Sequence, residues 1–246
     1  MLVCLATGRS LAESLPVWKQ LPLRAPYEPM VAIGGAMVVD PVTGRTLYHR
    51  TIERDLACEF ADALAEAGHC AFAFVDGWRH GVDYFVSQAG DVQAAMRMWF
   101  SKMNVRVRQL ASFRDCAGMP APLRINAVAP AEQAVQLAEK LKERFDGRLN
   151  VHAILAPNYG VTIVEAFSPQ ADKFNAVNYV AQAHRIGPGG IVAVGDDIND
   201  LPMILKAGLG VAFDHSPPAV RRAARHVASN GLAVFLEELL AGEFDS

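Results

Sequence analysis

The chain has 246 residues, 52% hydrophobic and 20% charged, with a formal net charge of −3. That size supports one large core or two modest ones, and the composition excludes disordered and fibrous classes. No run of Lys and Arg marks a nucleic-acid or anionic-membrane surface: the densest basic stretch, Arg221-Arg222-Ala-Ala-Arg225, reads as a solvated helix face, so a small molecule is the expected partner. Cys4, Cys58, Cys70 and Cys116 are scattered without C-x-x-C spacing, which predicts reduced structural thiols, a cytoplasmic location and no zinc site. The apolar opening lacks a basic segment and stops at Thr7, and nothing approaches the ~18 apolar residues of a membrane span, so neither an export signal nor a span is expected.

In chain order, Leu2 to Ala6 is a continuous apolar run that predicts a buried parallel strand. It hands over at once to Thr7-Gly8-Arg9-Ser10. A helix is expected from Ser10, because Ser10 and Glu13 have capping-box spacing, with a kink at Pro16. Met30 to Val39 reads as a second apolar strand interrupted by Gly34-Gly35. Between about Glu53 and Ala166 the pattern changes to short strands (Ala71–Val75, Asp83–Ser87, Val161–Glu165) and helices such as Ala131–Phe145. Turn residues at Asp76-Gly77 and Asn158-Tyr159-Gly160 predict antiparallel connections there. From Ser168 the chain returns to strand–helix alternation. A helix carries Phe174, Val177 and Ala181, a strand runs Ile191 to Val194, and a short helix follows Asp200, with Pro202 in its first turn and Gly208 past its end. Val211 to Phe213, a helix capped by Ser216-Pro217 and a last helix from about Leu232 complete it. The expected fold is α/β: a doubly wound, Rossmann-like parallel-sheet core (1–52 and 167–246) with an inserted α+β cap (53–166).

The chemistry concentrates in Val192-Ala-Val-Gly-Asp-Asp-Ile-Asn-Asp-Leu-Pro-Met203. An apolar strand ends at Gly195 and presents Asp196, Asp197, Asn199 and Asp200 at its carboxyl edge, where open α/β sheets hold ligands. Oxygen ligands crowded in this way suit Mg²⁺; helix capping, expected of Asn199 or Asp200, does not by itself need three carboxylates. Thr7 and Gly8, after a strand and before a helix N-terminus, can hold a phosphate oxygen, or can simply form a turn. Lys173 stands in the first turn of a helix, where the dipole disfavours a cation; by itself it reads as a solvated surface side chain. Trp78, Arg79, Tyr84 and Asn158 read as surface or packing residues of the cap.

Taken in order, strand-Thr-Gly-Arg, an inserted domain, Lys173 and then Gly-Asp-Asp-Ile-Asn-Asp, the chain closely resembles the haloacid-dehalogenase-like phosphatases, specifically the Cof-type branch with a large α+β cap. The resemblance covers essentially the whole chain. It implies a Mg²⁺-dependent phosphomonoester hydrolase acting on a small phosphorylated metabolite, sugar-phosphate-like, through a phosphoaspartate. It also implies that Thr7, with Gly8 and Arg9, binds the transferring phosphoryl group, that Lys173 neutralises charge beside it, that Asp196 binds Mg²⁺, and that Asp200 and Asn199 complete or orient the metal shell. Phe174 stands where a Gly commonly follows the Lys, and Gly34-Gly35-Ala36 where Asn-Gly-Ala is usual; both departures bear on substrate more than on fold.

The family's nucleophile is the first Asp of a D-x-D-G-T motif on the strand before Thr-Gly-Arg, and its second Asp is the general acid. None of the 246 residues stands in D-x-D order; Phe74-Val-Asp-Gly77 has an apolar run before Asp-Gly but puts Phe74 in the nucleophile's place. The expectation is that the nucleophile lies upstream of Met1 and that these residues alone are inactive. The alternative is a catalytically inactive relative that only binds Mg²⁺ or a phosphorylated ligand. A dinucleotide-binding or response-regulator reading lacks a G-x-G-x-x-G that opens a helix.

Overall fold

The computed structural model describes residues 1–88, 94–103, 105–115, 117–156 and 160–244; Cys116 and the expected turn at Asn158-Tyr159 lie outside the described residues. Contacts divide the chain into two compact units, residues 1–171 and 172–246.

The first unit corrects the opening strand. Within Leu2 to Ala6 it is Ala6 that forms a ladder position, parallel to Val31, with Val31 N–H donating to Leu5 (2.8 Å) and Thr7 N–H to Val31 (2.9 Å). Leu2 and Val3 stay 50% and 46% exposed. Among the described residues this apolar run has its ladder partner, Val31, on one side, and its first residues stay in solvent. Helix α1 (Leu11–Trp18) follows the predicted capping box: Ser10 Oγ accepts from Glu13 N–H, and the Glu13 carboxylate accepts from Ser10 N–H at 2.9 Å. The helix runs through Pro16 and ends two residues later.

The expected single strand 30–39 is a hairpin. Strand β1 (Met30–Ala32) turns through a 3₁₀ segment at Ile33–Gly35 into β2 (Met37–Val39), which pairs antiparallel with β1 and with β3 (Thr46–His49). Ile33 (φ 51°) and Gly34 (φ 62°) are left-handed. Hydrophobicity is blind to this reversal, whereas glycine tolerates it.

Helix α2 (Arg54–Glu66) leads into the region predicted as α+β: β4 (Phe72–Phe74), α3 (Gly77–His80), β5 (Tyr84–Ser87), α4 (Ala94–Met103), β6 (Val107–Leu110), β7 (Arg124–Ala129), α5 (Ala131–Arg144), β8 (Asn150–Ala156) and β9 (Val161–Phe167). The strands form one sheet in the order β6-β5-β4-β7-β9-β8, antiparallel except for β5–β6. Asp76-Gly77 does reverse the chain, through α3, whose first N–H groups donate to the Asp76 carboxylate. Strand alternation sorts the sheet's two faces. Ala73, Ile125, Ala127 and Val164 pack with Phe60 and Leu64 of α2 and Leu141 of α5. Phe72, Phe74, Tyr84, Val128 and Phe167 share a cluster with Met30, Ile33, Met37 and Val39 of the β1–β2 hairpin.

The second unit alternates as predicted: α6 (Lys173–Ala183), β10 (Val192–Val194), α7 (Leu201–Lys206), β11 (Leu209–Phe213), α8 (Pro218–Ala223), β12 (His226–Ala228) and α9 (Gly231–Leu240), with β10-β11-β12 parallel. Two details differ. The buried face of α6 includes Phe174 and Ala181 as expected, with Ala176 and Val180 in place of Val177. Ser216 does not cap α8; its hydroxyl accepts from Phe213 N–H at 3.1 Å, which closes the preceding turn. Among the described residues no helix is long and apolar enough to cross a membrane.

Candidate active site

The Gly-Asp-Asp-Ile-Asn-Asp segment leaves the carboxyl end of β10 and folds back on its own last residue. Gly195 N–H donates to Val211 of β11 at 3.1 Å, which fixes the segment's first residue against the sheet. Asp197 caps the 3₁₀ turn Ile198–Asp200 by accepting from Ile198 N–H at 2.7 Å. Asp200 stands at the N-cap position of α7, as expected of it or Asn199, but gives that helix no side-chain hydrogen bond. The Asp200 carboxylate instead turns back into the loop: Oδ2 accepts from Asp196 N–H (2.9 Å) and Asp197 N–H (3.1 Å). Gly195 makes room for this, because a Cβ there would stand 2.5 Å from Asp200 Cβ.

The other Asp200 oxygen holds Lys173. Its Nζ lies 2.5 Å from Asp200 Oδ1 and 3.2 Å from Asn199 Oδ1, with the Lys173 and Asp200 side chains 6% and 4% exposed. The solvated-surface reading of Lys173 is therefore wrong: its partners, 26 and 27 residues away, outweigh the unfavourable dipole of the helix it opens. The preceding Asp172 caps that helix by accepting from Asn175 N–H at 2.7 Å, and its other oxygen lies 3.4 Å from Lys206 Nζ.

Asp196 is different. Its side chain is 63% exposed, with His215 Nε2 3.9 Å away. The loop thus separates a buried, fully bonded carboxylate from an open one one turn away. Among the described residues no group of three or more His, Cys, Asp and Glu side chains could hold a metal ion alone. Mg²⁺ does not require such a cage, since it keeps several waters and takes one or two carboxylates plus substrate phosphate oxygens; the open Asp196 fits that donor set.

The structure gathers Asp196, Asn199, Asp200 and Lys173 within the second unit. Thr7, Gly8 and Arg9 lie in the first, where Thr7 Oγ1 accepts from Arg9 N–H at 3.1 Å, and Thr7 and Arg9 carbonyls accept from Gly34 and Ile33 N–H at 3.0 Å each. The loop is thereby pinned to the β1–β2 turn and delivers its chain into the N-terminus of α1. Sequence reasoning missed the capping role of Asp197 and the neighbourhood of His215. The Asp197-Ile-Asn-Asp200 spacing, a capping box in its own right, was the available signal for the first; none marks the second.

The haloacid dehalogenase-like hydrolase family matches residues 1–231. A Haemophilus influenzae protein provisionally named a phosphatase is 27% identical over 237 residues, covering 94% of this chain and 82% of that protein. Among solved structures, a haloacid dehalogenase-like hydrolase from Bacteroides thetaiotaomicron superposes with a TM-score of 0.70 at 17% identity, covering 92% of this chain and 80% of that one. A sugar phosphatase of haloacid-dehalogenase subclass IIB gives 0.72 at 15% identity, covering 97% and 85%. These two likenesses establish a common fold, a Rossmann-like core with a cap.

Proposed function

This chain belongs to the haloacid dehalogenase-like hydrolases, and from that premise we propose that it serves a Mg²⁺-dependent phosphomonoesterase acting on a small phosphorylated metabolite of the sugar-phosphate kind. The observation that carries the reading is the buried Lys173 ammonium, held by Asp200 and Asn199 beside the open carboxylate of Asp196. A buried cation fixed by its own carboxylate is pre-organised to face the equatorial oxygens of a transferring phosphoryl group without reorganising during the reaction. Asp196 would hold Mg²⁺, which when bound neutralises charge on those oxygens. Asp200 either completes the metal shell or orients it, and the three hydrogen bonds it already accepts favour orientation. Thr7, Gly8 and Arg9, at the mouth of α1, would take a non-bridging phosphate oxygen, the Arg9 N–H leaving Thr7 Oγ1 to do so.

The covalent step needs a carboxylate that attacks phosphorus in line, expels the ester oxygen with a proton from a second acid, and is then freed by water. With no D-x-D among the 246 residues, the reading assigns that carboxylate to a segment outside them. The same feature favours the second reading, a protein that holds Mg²⁺ or a phosphorylated ligand without turnover. Residues 53–166 would act as a cap hinged at 51–54 and 167–169. In support, a cavity of 1060 Å³ is lined both by His49–Glu53 and by Ser168–Gln170, which leaves room for these crossings to bend.

Mg²⁺ should raise the melting temperature by mass action, and Asp196→Ala should abolish the shift. An equal shift in the variant refutes the metal assignment.

A further inference from the structure

One face of the six-stranded sheet carries a polar island that packing does not explain. Arg124 and Asn126 are two residues apart on β7 and share its face with Val128; Glu165 on β9 is the direct cross-strand partner of Asn126. The island is buried, with Asn126 3% and Glu165 6% exposed and the Arg124 side chain 11% exposed. Arg124 Nη1 donates to Glu165 Oε2 at 3.1 Å and Nη2 to the Tyr84 hydroxyl at 3.3 Å. Its Nε and the Asn126 Oδ1 are buried with no hydrogen-bond partner. Phe72, Phe74 and Trp99 belong to the apolar cluster on this face.

Stability does not account for these groups. A buried ion pair is often no more stabilising than apolar residues of the same volume, and each orphaned polar atom adds a desolvation cost. Burial raises the Glu165 carboxyl above its ordinary range despite the opposing pull of Arg124. An unpaired donor and an unpaired acceptor two residues apart on one strand face call for a ligand that supplies both.

The island faces the elements that carry the phosphate loop. Its sheet face shares one cluster with Ile33 of the β1–β2 turn, the turn whose N–H groups fasten Thr7 and Arg9. Trp99 Nε1 donates to Glu13 of α1 at 3.2 Å, and Phe167, at the end of β9, lies 3.5 Å from where a Cβ on Gly34 would be. A phosphate on the Thr7 loop would therefore project its alcohol toward this face once the sheet lifts from the hairpin, the movement proposed above.

We propose that Arg124, Asn126 and Glu165 read the leaving alcohol of the substrate and select a hydroxyl-rich monoester, a polyol or sugar phosphate, over one whose alcohol is apolar or carries a carboxylate. This rests on the phosphate-binding reading given above. A hydroxyl both accepts and donates, so adjacent hydroxyls can take the spare Arg124 N–H and give protons to Asn126 Oδ1 and Glu165. A carboxylate would satisfy Arg124 but meet two acceptors, and an ammonium would meet the guanidinium. An alkyl chain would leave all three unpaired.

The test is isothermal titration of the 246-residue chain, with Mg²⁺ present, by hexose 6-phosphate, n-butyl phosphate and phosphoglycolate, repeated with Asn126→Leu and Arg124→Lys. Wild type should bind the hexose ester about 10- to 100-fold tighter than the butyl ester, the worth of one or two charge-assisted hydrogen bonds, and each variant should bring that ratio to within about threefold of one. Both esters are titrated into the same sample, so partial unfolding lowers stoichiometry and not the ratio. Wild type binding none of the three overturns the phosphate-binding reading and the inference together. Wild type preferring the hexose ester, with both variants keeping the preference, overturns the assignment of these residues alone. Tighter binding of phosphoglycolate than of hexose 6-phosphate overturns the hydroxyl selectivity.

Discussion

Asp200→Ala removes one carboxylate and strands three donors. Among the described residues Lys173 keeps Asn199 Oδ1, at 3.2 Å, as its one acceptor in a site where its side chain is 6% exposed, and the Asp196 and Asp197 N–H groups lose their shared oxygen. Breaking a buried pair from one side costs about 3–5 kcal/mol, against about 0–1 for an exposed pair. Some relief comes from water entering the emptied volume, so the lower end, about 3 kcal/mol, is the expected loss. At about 2–4 °C per kcal/mol for a chain of this size, the melting temperature followed by far-UV circular dichroism should fall by about 6–12 °C. Adding Lys173→Met should recover part of the loss, since the stranded ammonium is then gone. Amide exchange at Asp196 and Asp197 should accelerate in the single variant, which localises the effect. A loss under about 1 kcal/mol, or a double variant whose cost is the plain sum of two separate losses, would refute the reasoning, because either result means the pair behaves as a solvated one.

Gly195→Ala should act on the same loop from the other side. Its Cβ would stand 2.5 Å from Asp200 Cβ, so the loop must shift, at a cost of about 1–3 kcal/mol, and the Mg²⁺-dependent rise in melting temperature should vanish although no ligand atom has been removed. A retained Mg²⁺ response would show that the loop tolerates the shift. Acid stability should be governed partly by two histidines. Burial first, then Lys142, lowers His152, and burial first, then Arg79, lowers His49, both below the ordinary 6.5. Between each folded value and 6.5 the unfolded chain binds more protons, so this contribution is complete above 6.5 and is lost as pH falls through the folded values. Glu165, raised by burial, has the opposite sign: it favours the folded chain more at acid pH than at neutral pH. His152→Gln should flatten the decline in denaturation midpoint between about pH 7 and pH 5, by at most about 1.4 kcal/mol per pH unit. An unchanged slope would show that His152 titrates alike in both states.

The strand–helix alternation after Ser168 and the loop of aspartates were legible because their signals are local: an apolar run, a proline in a first turn, oxygen side chains after a strand. Leu2 to Ala6 and Met30 to Val39 were misread for one reason. Hydrophobicity reports that a segment suits burial and says nothing about how many neighbours it has or whether it doubles back at Ile33-Gly34. Lys173 was illegible by itself because the carboxylate that buries it lies 27 residues away, across α6 and β10. The Arg124–Asn126–Glu165 island needed register. Alternation places Arg124 and Asn126 on one face of β7, and only the pairing of Asn126 with Glu165 brings the two strands' polar groups together. Asp200 stood out as a carboxylate at a sheet edge, and its role depended on which way it turned, which spacing does not encode.

The measurement that bears most directly on the central claim is Mg²⁺-dependent phosphate release from a phosphomonoester. It would compare the 246-residue chain with the same chain carrying an added N-terminal strand that ends in Asp-x-Asp-Gly-Thr. The account predicts turnover of p-nitrophenyl phosphate only by the second protein, lost on chelation of Mg²⁺ and in its Asp196→Asn variant. Robust turnover by the 246 residues alone, or turnover by the second protein that survives Asp196→Asn, would contradict it.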